Sequence, residues 1–188
     1  MTAGTIRKLH LFTVHQYDQM VAAGVFNENA RVELLAGEIV EMAAMGVRHA
    51  TSLIHFDYLL TSQVSREYRV GAQIPILLDD MSQPEPDLFV YRWRKGNTLL
   101  TPDDIVLVVE IADSSLDYDR NQKFPRYAAA GIPEAWLLDL TTGILERHSE
   151  PYAGRYRHVV TAQAGESLDS LVLPGLALPL DDILAEEW

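Results

Sequence analysis

The pattern of hydrophobic and polar residues favours helix in two segments near the N-terminus. In "FTVHQYDQMVAAG", Thr13 and Gln16 stand at the spacing of a capping box at the start of a short helix. Residues 47–67 have the length of a second helix, and their apolar residues recur at helical spacing: Leu53, Ile54, Tyr58 and Leu59. Between these helices, "RVELLAGEIVEM" predicts two strands that form a hairpin around Ala36 and Gly37.

After residue 67 the pattern becomes that of strands. The segments "YRVGAQIPILL", "DLFVYRW" and "DIVLVVEIA" are strand-like, and the last is apolar on both faces, as expected of a strand that helices cover on both sides. The helical segment "DYDRNQKFPRYAAAG" and the strand "AWLLDL" follow, which predicts a βαβ unit with a right-handed parallel crossover. "GILERHS" and "RYRHVVTAQ" predict a late hairpin. We therefore expect an α/β (α+β) fold, a mixed sheet flanked by helices, with an N-terminal helix and hairpin.

Composition limits the class of protein. The chain has 188 residues and no internal repeat or linker, so we expect one domain over residues 1–188 that encloses its core without disulfides or structural metals. It has no cysteine, which excludes a disulfide framework, a thiolate metal site and a cysteine nucleophile. Its N-terminal segment lacks the apolar core of a signal peptide, and its apolar runs are too short to span a membrane, so we expect a cytoplasmic protein.

The formal net charge of −12 opposes non-specific binding to phosphate backbones, which depends largely on Lys and Arg. The basic residues are unevenly placed, however, and three short segments contain many of them: Arg92, Arg94 and Lys95; Arg120, Lys123 and Arg126; Arg147, Arg155 and Arg157. A local basic groove on an acidic body is therefore consistent with the sequence.

Two carboxylates border the most hydrophobic strands. Asp87 follows Pro86 at the start of one strand, and Glu110 lies near the end of another. If those strands are antiparallel neighbours, the two acids meet, and they repel each other unless a cation lies between them. Hard oxygen ligands suit Mg²⁺ or Mn²⁺, which polarise a phosphoryl oxygen and lower the pKa of bound water. Alternatively, Asp87 caps a turn and Glu110 forms a structural ion pair.

Lys123 stands thirteen residues after Glu110, on the helix that follows the strand of Glu110. Its ammonium could reach the end of that strand, where it would position an attacking water or balance charge that develops in the transition state. Its spacing of four residues from Asp119 is also that of an ion pair on the surface of a helix. Both interpretations are compatible with the local sequence.

The order of these motifs resembles the PD-(D/E)XK nuclease superfamily, and more closely the Uma family of proposed endonucleases within it. The resemblance covers nearly the whole chain: "VELLAGEIVEM" is similar to the family's early hairpin, "QIPILLDDMSQPEPDLFV" to its central motif, and "DYDRNQKFPRYAAAGIPEAWLLDL" to its helix and following strand. It implies a restriction-endonuclease-like fold and a divalent-metal-dependent phosphodiesterase site. That site is carried over to Asp87 and Glu110 as metal ligands and to Lys123.

The chain departs from the superfamily pattern at one position. The superfamily places a lysine two residues after the acid on the same strand, where this chain has Ala112. The Uma-like pattern supplies the amine from the helix through Lys123, and the small Ala112 leaves room for it. Pro125 removes a helical hydrogen bond close to Lys123, so spacing alone does not fix the direction of the amine.

Three further polar residues bear on the site. Glu33 resembles an additional acid that such nucleases bring to the metal or its water, and it is equally a solvent-facing strand residue that alternates with Val32 and Leu34. Gln73 matches a polar position of the family motif and would hydrogen-bond near the metal or satisfy a strand edge. His49 opens a helix near the hairpin and could lie by the site, but we favour a surface position in the first turn of that helix.

Two hypotheses follow from the sequence. The first is an Mg²⁺-dependent or Mn²⁺-dependent endonuclease, most simply acting on DNA, in which Arg92, Arg120 and Arg126 flank the site and bind substrate phosphates. The second is a nuclease fold without turnover that serves as a binding or assembly module, because a fold does not by itself provide chemistry. A homodimer is compatible with the first hypothesis, since nucleases that cut both strands commonly pair.

Overall fold

A computed structural model of the chain describes residues 9–27, 30–96 and 100–184. Within these residues, six strands form the central sheet in the order β3–β4–β5–β6–β7–β8. Their bounds are β3 (Tyr68–Ala72), β4 (Leu88–Arg92), β5 (Ile105–Ala112), β6 (Glu134–Asp139), β7 (Ile144–Tyr152) and β8 (Arg155–Ala162). The sheet is mixed, because β5 and β6 are parallel and the other neighbours are antiparallel. It confirms the predicted fold class and the predicted late hairpin of β7 and β8.

The predicted crossover between β5 and β6 is present, but its helix is interrupted. A short helix α3 (Leu116–Tyr118) leads into a π-helical turn (Asp119–Lys123), and helix α4 (Phe124–Ala129) follows directly. Pro125 lies in the first turn of α4, where its missing N–H costs least. The proline therefore coincides with a change of helix type and leaves the segment helical.

An N-terminal helix and hairpin lie beside the sheet, as the sequence predicts. Helix α1 (Val14–Ala22) begins with the capping box of Thr13 and Gln16. The hairpin consists of β1 (Val32–Leu35) and β2 (Glu38–Glu41). Its two turn residues, Ala36 and Gly37, both have positive φ angles of 53° and 82°, the geometry of a type I′ turn, which matches the twist of the strands.

The long helix α2 (Val47–Gln63) packs on one face of the sheet with only half of the predicted apolar residues, since Leu53 and Leu59 pack against the core. Phe56 and Leu60 are fully buried, whereas Ile54 and Tyr58 are 66% and 71% exposed. The predicted apolar face was therefore half wrong, because apolar residues lie on both sides of this helix and the sheet selects the side that packs.

Two hydrophobic cores lie on opposite faces of the sheet. One contains Phe56 and Leu60 of α2 together with Trp136 and the C-terminal leucines. The other contains Phe124 and Tyr127 at α4, packed on alternate residues of β4, β5 and β6. A small hairpin of β9 (Ser167–Asp169) and β10 (Ala177–Pro179) adds to the first core. In the described parts of the chain, no helix has the length and apolar character that crossing a membrane requires.

Candidate active site

The register of the sheet brings Asp87 and Glu110 together on neighbouring strands. β4 and β5 are antiparallel, and Leu88 lies opposite Val109. Asp87 directly precedes β4 and Glu110 directly follows Val109, so the two acids lie side by side, as the sequence predicts. They line a cavity of about 260 Å³, with walls formed by β1, the loop after β2, the start of α2 and the helical segment after β5.

Glu110 is almost fully buried and binds the side chains of the crossover segment. It is 2% exposed. Its Oε1 atom accepts a hydrogen bond of 2.6 Å from the Tyr127 hydroxyl and lies 2.9 Å from Lys123 Nζ. Burial raises the pKa of Glu110 well above its usual range, Lys123 opposes this shift, and the negative charges of Asp119 and Asp87 add to it. The carboxylate is therefore held in a site with an excess of negative charge.

Lys123 is the cation at the centre of this cluster. Its side chain is 3% exposed, and Nζ lies 2.9 Å from Glu110 and 3.4 Å from Glu33 Oε2. Burial alone would lower its pKa, but the carboxylates of Glu110, Glu33 and Asp119 outweigh burial and raise it, so Lys123 is protonated. Asp119 is also buried, which rules out the surface ion pair that its spacing from Lys123 allowed.

The π-helical turn explains how Lys123 reaches the sheet. The N–H of Phe124 bonds to the carbonyl of Asp119, five residues earlier, which widens this turn of the helix. Asp119, Lys123 and Tyr127 are spaced by four residues and all point inward, so one face of the segment carries all three polar heads. Such π turns within helices are frequent at functional sites.

Glu33 enters the cluster from the hairpin. It is 1% exposed, so the solvent-facing alternative is wrong. Its Oε1 accepts a hydrogen bond of 2.8 Å from the Tyr118 hydroxyl, and its Oε2 accepts one of 2.9 Å from the Glu85 N–H. The hairpin is docked on the segment before β4, because Gln83 N–H donates to Leu34 O at 2.8 Å. Glu33 is therefore fixed beside Lys123 from the opposite wall of the cavity.

Asp87, in the wall of the cavity, accepts hydrogen bonds from three partners. Its Oδ1 lies 2.9 Å from His49 Nε2 and accepts a hydrogen bond of 3.3 Å from Gln73 Nε2, and its Oδ2 accepts one of 2.8 Å from the Ile111 N–H. Burial would raise the pKa of Asp87, but the hydrogen bonds from His49 and Ile111 and the charge of Lys123 lower it overall. Asp87 is therefore ionised at neutral pH.

His49 is the clearest residue that the sequence interpretation misplaced. It lies in the first turn of α2 and its side chain is 16% exposed, packed against Asp87 rather than free on the surface. Sequence offers no signal for this contact, because α2 and the start of β4 are separated by about forty residues and meet only in the fold. Tyr127 and Tyr118 were also missed, although the four-residue spacing of Asp119, Lys123 and Tyr127 was visible.

The three arginines predicted to flank the site do not line the cavity. Arg92 lies at the far end of β4 from Asp87, which at ~3.3 Å per residue is more than ~15 Å away. Arg120 is bound to Glu146 at 2.6 Å, and Arg126 is exposed on α4. A substrate-binding role for these three residues stays a prediction and gains no support from closeness to the acids.

The side chains of the cavity are compatible with a hard divalent cation. Asp87 and Glu110 present carboxylate oxygens, and Glu110 Oε2 has no hydrogen-bond partner among the described residues. No group of three or more His, Asp or Glu side chains in the described ranges converges on a common point that could hold a metal ion. Two carboxylates are the kind of ligand set that Mg²⁺ accepts, since Mg²⁺ commonly takes one or two and keeps several waters.

Comparisons with known proteins agree with this fold. Residues 14–181 match the model of the Uma2 family, described as a putative restriction endonuclease. No curated protein matches the chain. The crystal structure of a putative nuclease of the DUF820 group from Anabaena variabilis is similar in fold, with a TM-score of 0.72 at 15% identity over 92% of this chain and 97% of that one. Because the family model spans most of its length, the chain belongs to the Uma2 family of putative restriction endonucleases.

Proposed function

We propose that this chain is a metal-dependent endonuclease that hydrolyses phosphodiester bonds of DNA. The observation that carries the proposal is the meeting of Asp87, Glu110 and Lys123 in one cavity, although they come from two strands and a helical segment. Membership of the family supports a nuclease. The metal and the choice of DNA rest on the chemistry of the donor set and on the family resemblance.

Each polar residue of the cavity has a role in this proposal. Asp87 and Glu110 would hold Mg²⁺ or Mn²⁺, which when bound polarises a phosphoryl oxygen and activates water. Lys123 is protonated and would balance the negative charge that grows on the phosphoryl oxygens as water attacks phosphorus and the ester P–O bond breaks. Glu33 and Tyr127 hold Lys123 and Glu110 in place. The products are a phosphate monoester and a free hydroxyl group.

The test is cleavage of a plasmid and of a linear DNA with Mg²⁺ or Mn²⁺ present. Asp87→Asn and Glu110→Gln remove one charge each and keep the shape of the side chain, and each should lower the rate by about 10²–10³-fold, as expected when a group that stabilises the transition state is lost. Glu134→Gln, which alters a buried glutamate outside the cavity, is the matched control and should cleave at close to the parental rate per folded molecule. Equal cleavage by all four proteins would refute the proposal.

One observation favours the alternative of a binding module without turnover. Lys123 already bridges Glu110 and Glu33, so the cluster is partly neutralised without any metal. If it is only a structural ion-pair network, millimolar Mg²⁺ or Mn²⁺ should leave thermal stability unchanged. A binding site should instead be stabilised through ligand linkage, and Glu110→Gln should abolish that gain.

A further inference from the structure

The floor of the cavity is formed by the buried side chains of Glu33, Glu110 and Lys123. The mouth of the cavity differs from this floor in character. Residues 42–46, with the sequence MAAMG, form the loop between β2 and α2 and line one side of the cavity. This wall consists of methionine, alanine and glycine and carries no charge. Met42 and Met45 are half-buried there, whereas the carboxylates of the floor lie deeper. A ligand that reaches the floor therefore passes an uncharged wall on this side, whereas Glu41, Glu85 and Asp113 line other parts of the cavity.

The cavity is small. Two of its lining residues, Gly46 and Asp113, lie close together, since a Cβ atom placed on Gly46 would be 3.6 Å from Asp113 Oδ2. The volume of about 260 Å³ is just below the ~300–1,000 Å³ of pockets that hold one drug-sized ligand. The cavity is therefore too small to enclose a stretch of double helix.

Access to the floor sets a condition on the substrate. Glu110, Lys123 and Glu33 are each 2% exposed or less, so a phosphate must enter the cavity to reach them. A duplex is stiff and carries its phosphates on a broad rod, whereas the backbone of a single strand is flexible and can bend into a recess. An unpaired strand meets this condition at lower cost than a duplex.

Arg31 supplies a cation at the same mouth. It lines the cavity and precedes β1. Its guanidinium makes a long contact of 3.4 Å from Nη1 to Ala43 O and interacts with the carboxylate of Glu85, which lines the same cavity. A guanidinium has five N–H donors, so most of those of Arg31 are available for a ligand. Lys123, by contrast, is committed to the carboxylates. Arg31 is thus suited to bind a phosphate next to the one that is cleaved.

We propose that the mouth of the cavity binds one unpaired nucleotide of a DNA strand, so that the enzyme prefers single-stranded DNA or unpaired segments over continuous duplex. Arg31 binds a backbone phosphate, and Met42 and Met45 pack against the base, since methionine sulfur makes favourable contacts with aromatic rings. This inference rests on the proposed function for its substrate class, and it adds the strand state that the site accepts.

The test is a binding measurement that does not need turnover. Fluorescence anisotropy would compare a single-stranded oligodeoxynucleotide of roughly 12 residues, within the ~4–16 that single-strand sites cover, with a blunt duplex of the same sequence. Ca²⁺ would replace Mg²⁺ as the hard cation. We expect the single strand to bind at least about 10-fold more tightly. Arg31→Ala should weaken single-strand binding by about 10-fold, the value of a charge-assisted hydrogen bond.

Two further variants separate a contact with the ligand from a loss of structure. Arg31→Lys keeps the charge and should recover part of the affinity. Arg66→Ala removes the same charge from an exposed position outside the cavity and should bind like the parent. Circular dichroism of each variant would show whether the fold is retained. Equal affinity of the parent for single strand and duplex, or equal weakening by Arg31→Ala and Arg66→Ala, would overturn the inference.

Cleavage assays with Mg²⁺ separate this inference from the proposed function. If duplex and single strand are cut at equal rates, the endonuclease proposal stands and the inference fails. If no DNA is cut but single-stranded DNA is bound selectively through Arg31, the inference about binding stands and the catalytic proposal fails.

Discussion

Two buried glutamates lie on the neighbouring parallel strands β5 and β6, and they differ in what surrounds them. Glu134 is fully buried, and both of its oxygens accept hydrogen bonds, from Trp136 Nε1 at 2.7 Å and from the Leu171 N–H at 2.9 Å. Glu110 is equally buried, but it faces a cavity, a lysine and further acids. Burial raises the pKa of both carboxyl groups.

The difference shows that burial of an acid does not by itself mark a functional site. Glu134 ties the C-terminal segment to the sheet through hydrogen bonds with Trp136, Leu171 and Ser170, and it does not line the cavity. Glu110 shares one cation with Glu33 and Asp119, so its surroundings retain negative charge that a second cation would relieve. What separates structural from candidate catalytic carboxylates here is the cavity and the unbalanced charge.

The strongest test of this comparison is removal of the shared cation. Lys123→Met keeps the volume of the side chain but leaves Glu110, Glu33 and Asp119 without their central positive charge. We expect a loss of about 3–5 kcal/mol in the free energy of unfolding, the usual cost of breaking a buried ion pair, measured by urea denaturation in EDTA. Millimolar Mn²⁺ should restore part of the loss. A loss below about 1 kcal/mol would mean that Lys123 does not hold the cluster together.

The response to metal should distinguish the two glutamates directly. At a Mn²⁺ concentration of about 100 times the dissociation constant, ligand linkage stabilises a protein by roughly 2.7 kcal/mol. The parent and Glu134→Gln should both show this gain in thermal melts, whereas Glu110→Gln should not. An equal gain in all three proteins would place the metal elsewhere.

Glu134→Gln should affect stability alone. Glutamine has one acceptor oxygen, so its amide group would face one of the two N–H donors that Glu134 now satisfies. Leaving a buried donor without an acceptor costs about 1–3 kcal/mol. Urea denaturation should show this loss, with the rate of DNA cleavage per folded molecule unchanged. A fall in that rate similar to the fall for Glu110→Gln would show that the comparison is wrong.

The smallest expected effect comes from the hydroxyl group of Tyr127. Tyr127→Phe removes the 2.6 Å hydrogen bond to Glu110 and keeps the ring in the core. We expect a loss of about 0.5–1.5 kcal/mol in stability, the net value of one hydrogen bond, and a fall in metal affinity of about 10-fold, as for other groups that orient a ligand. Tyr156→Phe, which removes a hydroxyl bonded to the Ile132 carbonyl, is the control and should leave metal affinity unchanged.

Much of the fold was predictable because its signals are local. The apolar run of β5, the turn at Ala36 and Gly37, and the capping box of Thr13 all report on neighbours within a few residues. The packing face of α2 was not predictable, since Ile54 and Tyr58 are large hydrophobic residues at helical spacing and are nevertheless exposed. The hydrophobic pattern of such a helix is compatible with several packing faces, and the shape of the sheet decides which of them is buried.

The candidate site was predictable where it depends on strand order. Sequence by itself determined that Asp87 opens one strand and that Glu110 nearly ends another, and antiparallel pairing of neighbours then brings both acids to one edge. It also placed Lys123 on the segment that must cross back over that strand, because a parallel βαβ connection returns along the face of the sheet.

Only the tertiary structure decided which other groups complete the cavity and which stay away. His49, Glu33 and Arg31 come from segments far from Asp87 in sequence, and the π-helical turn sets the direction of Lys123. Arg92 was expected beside the acids and lies at the opposite end of their strand. The physical reason is that the periodicity of the sequence fixes which way side chains point within one helix or strand. How separate helices and strands approach each other depends on how their packed surfaces fit.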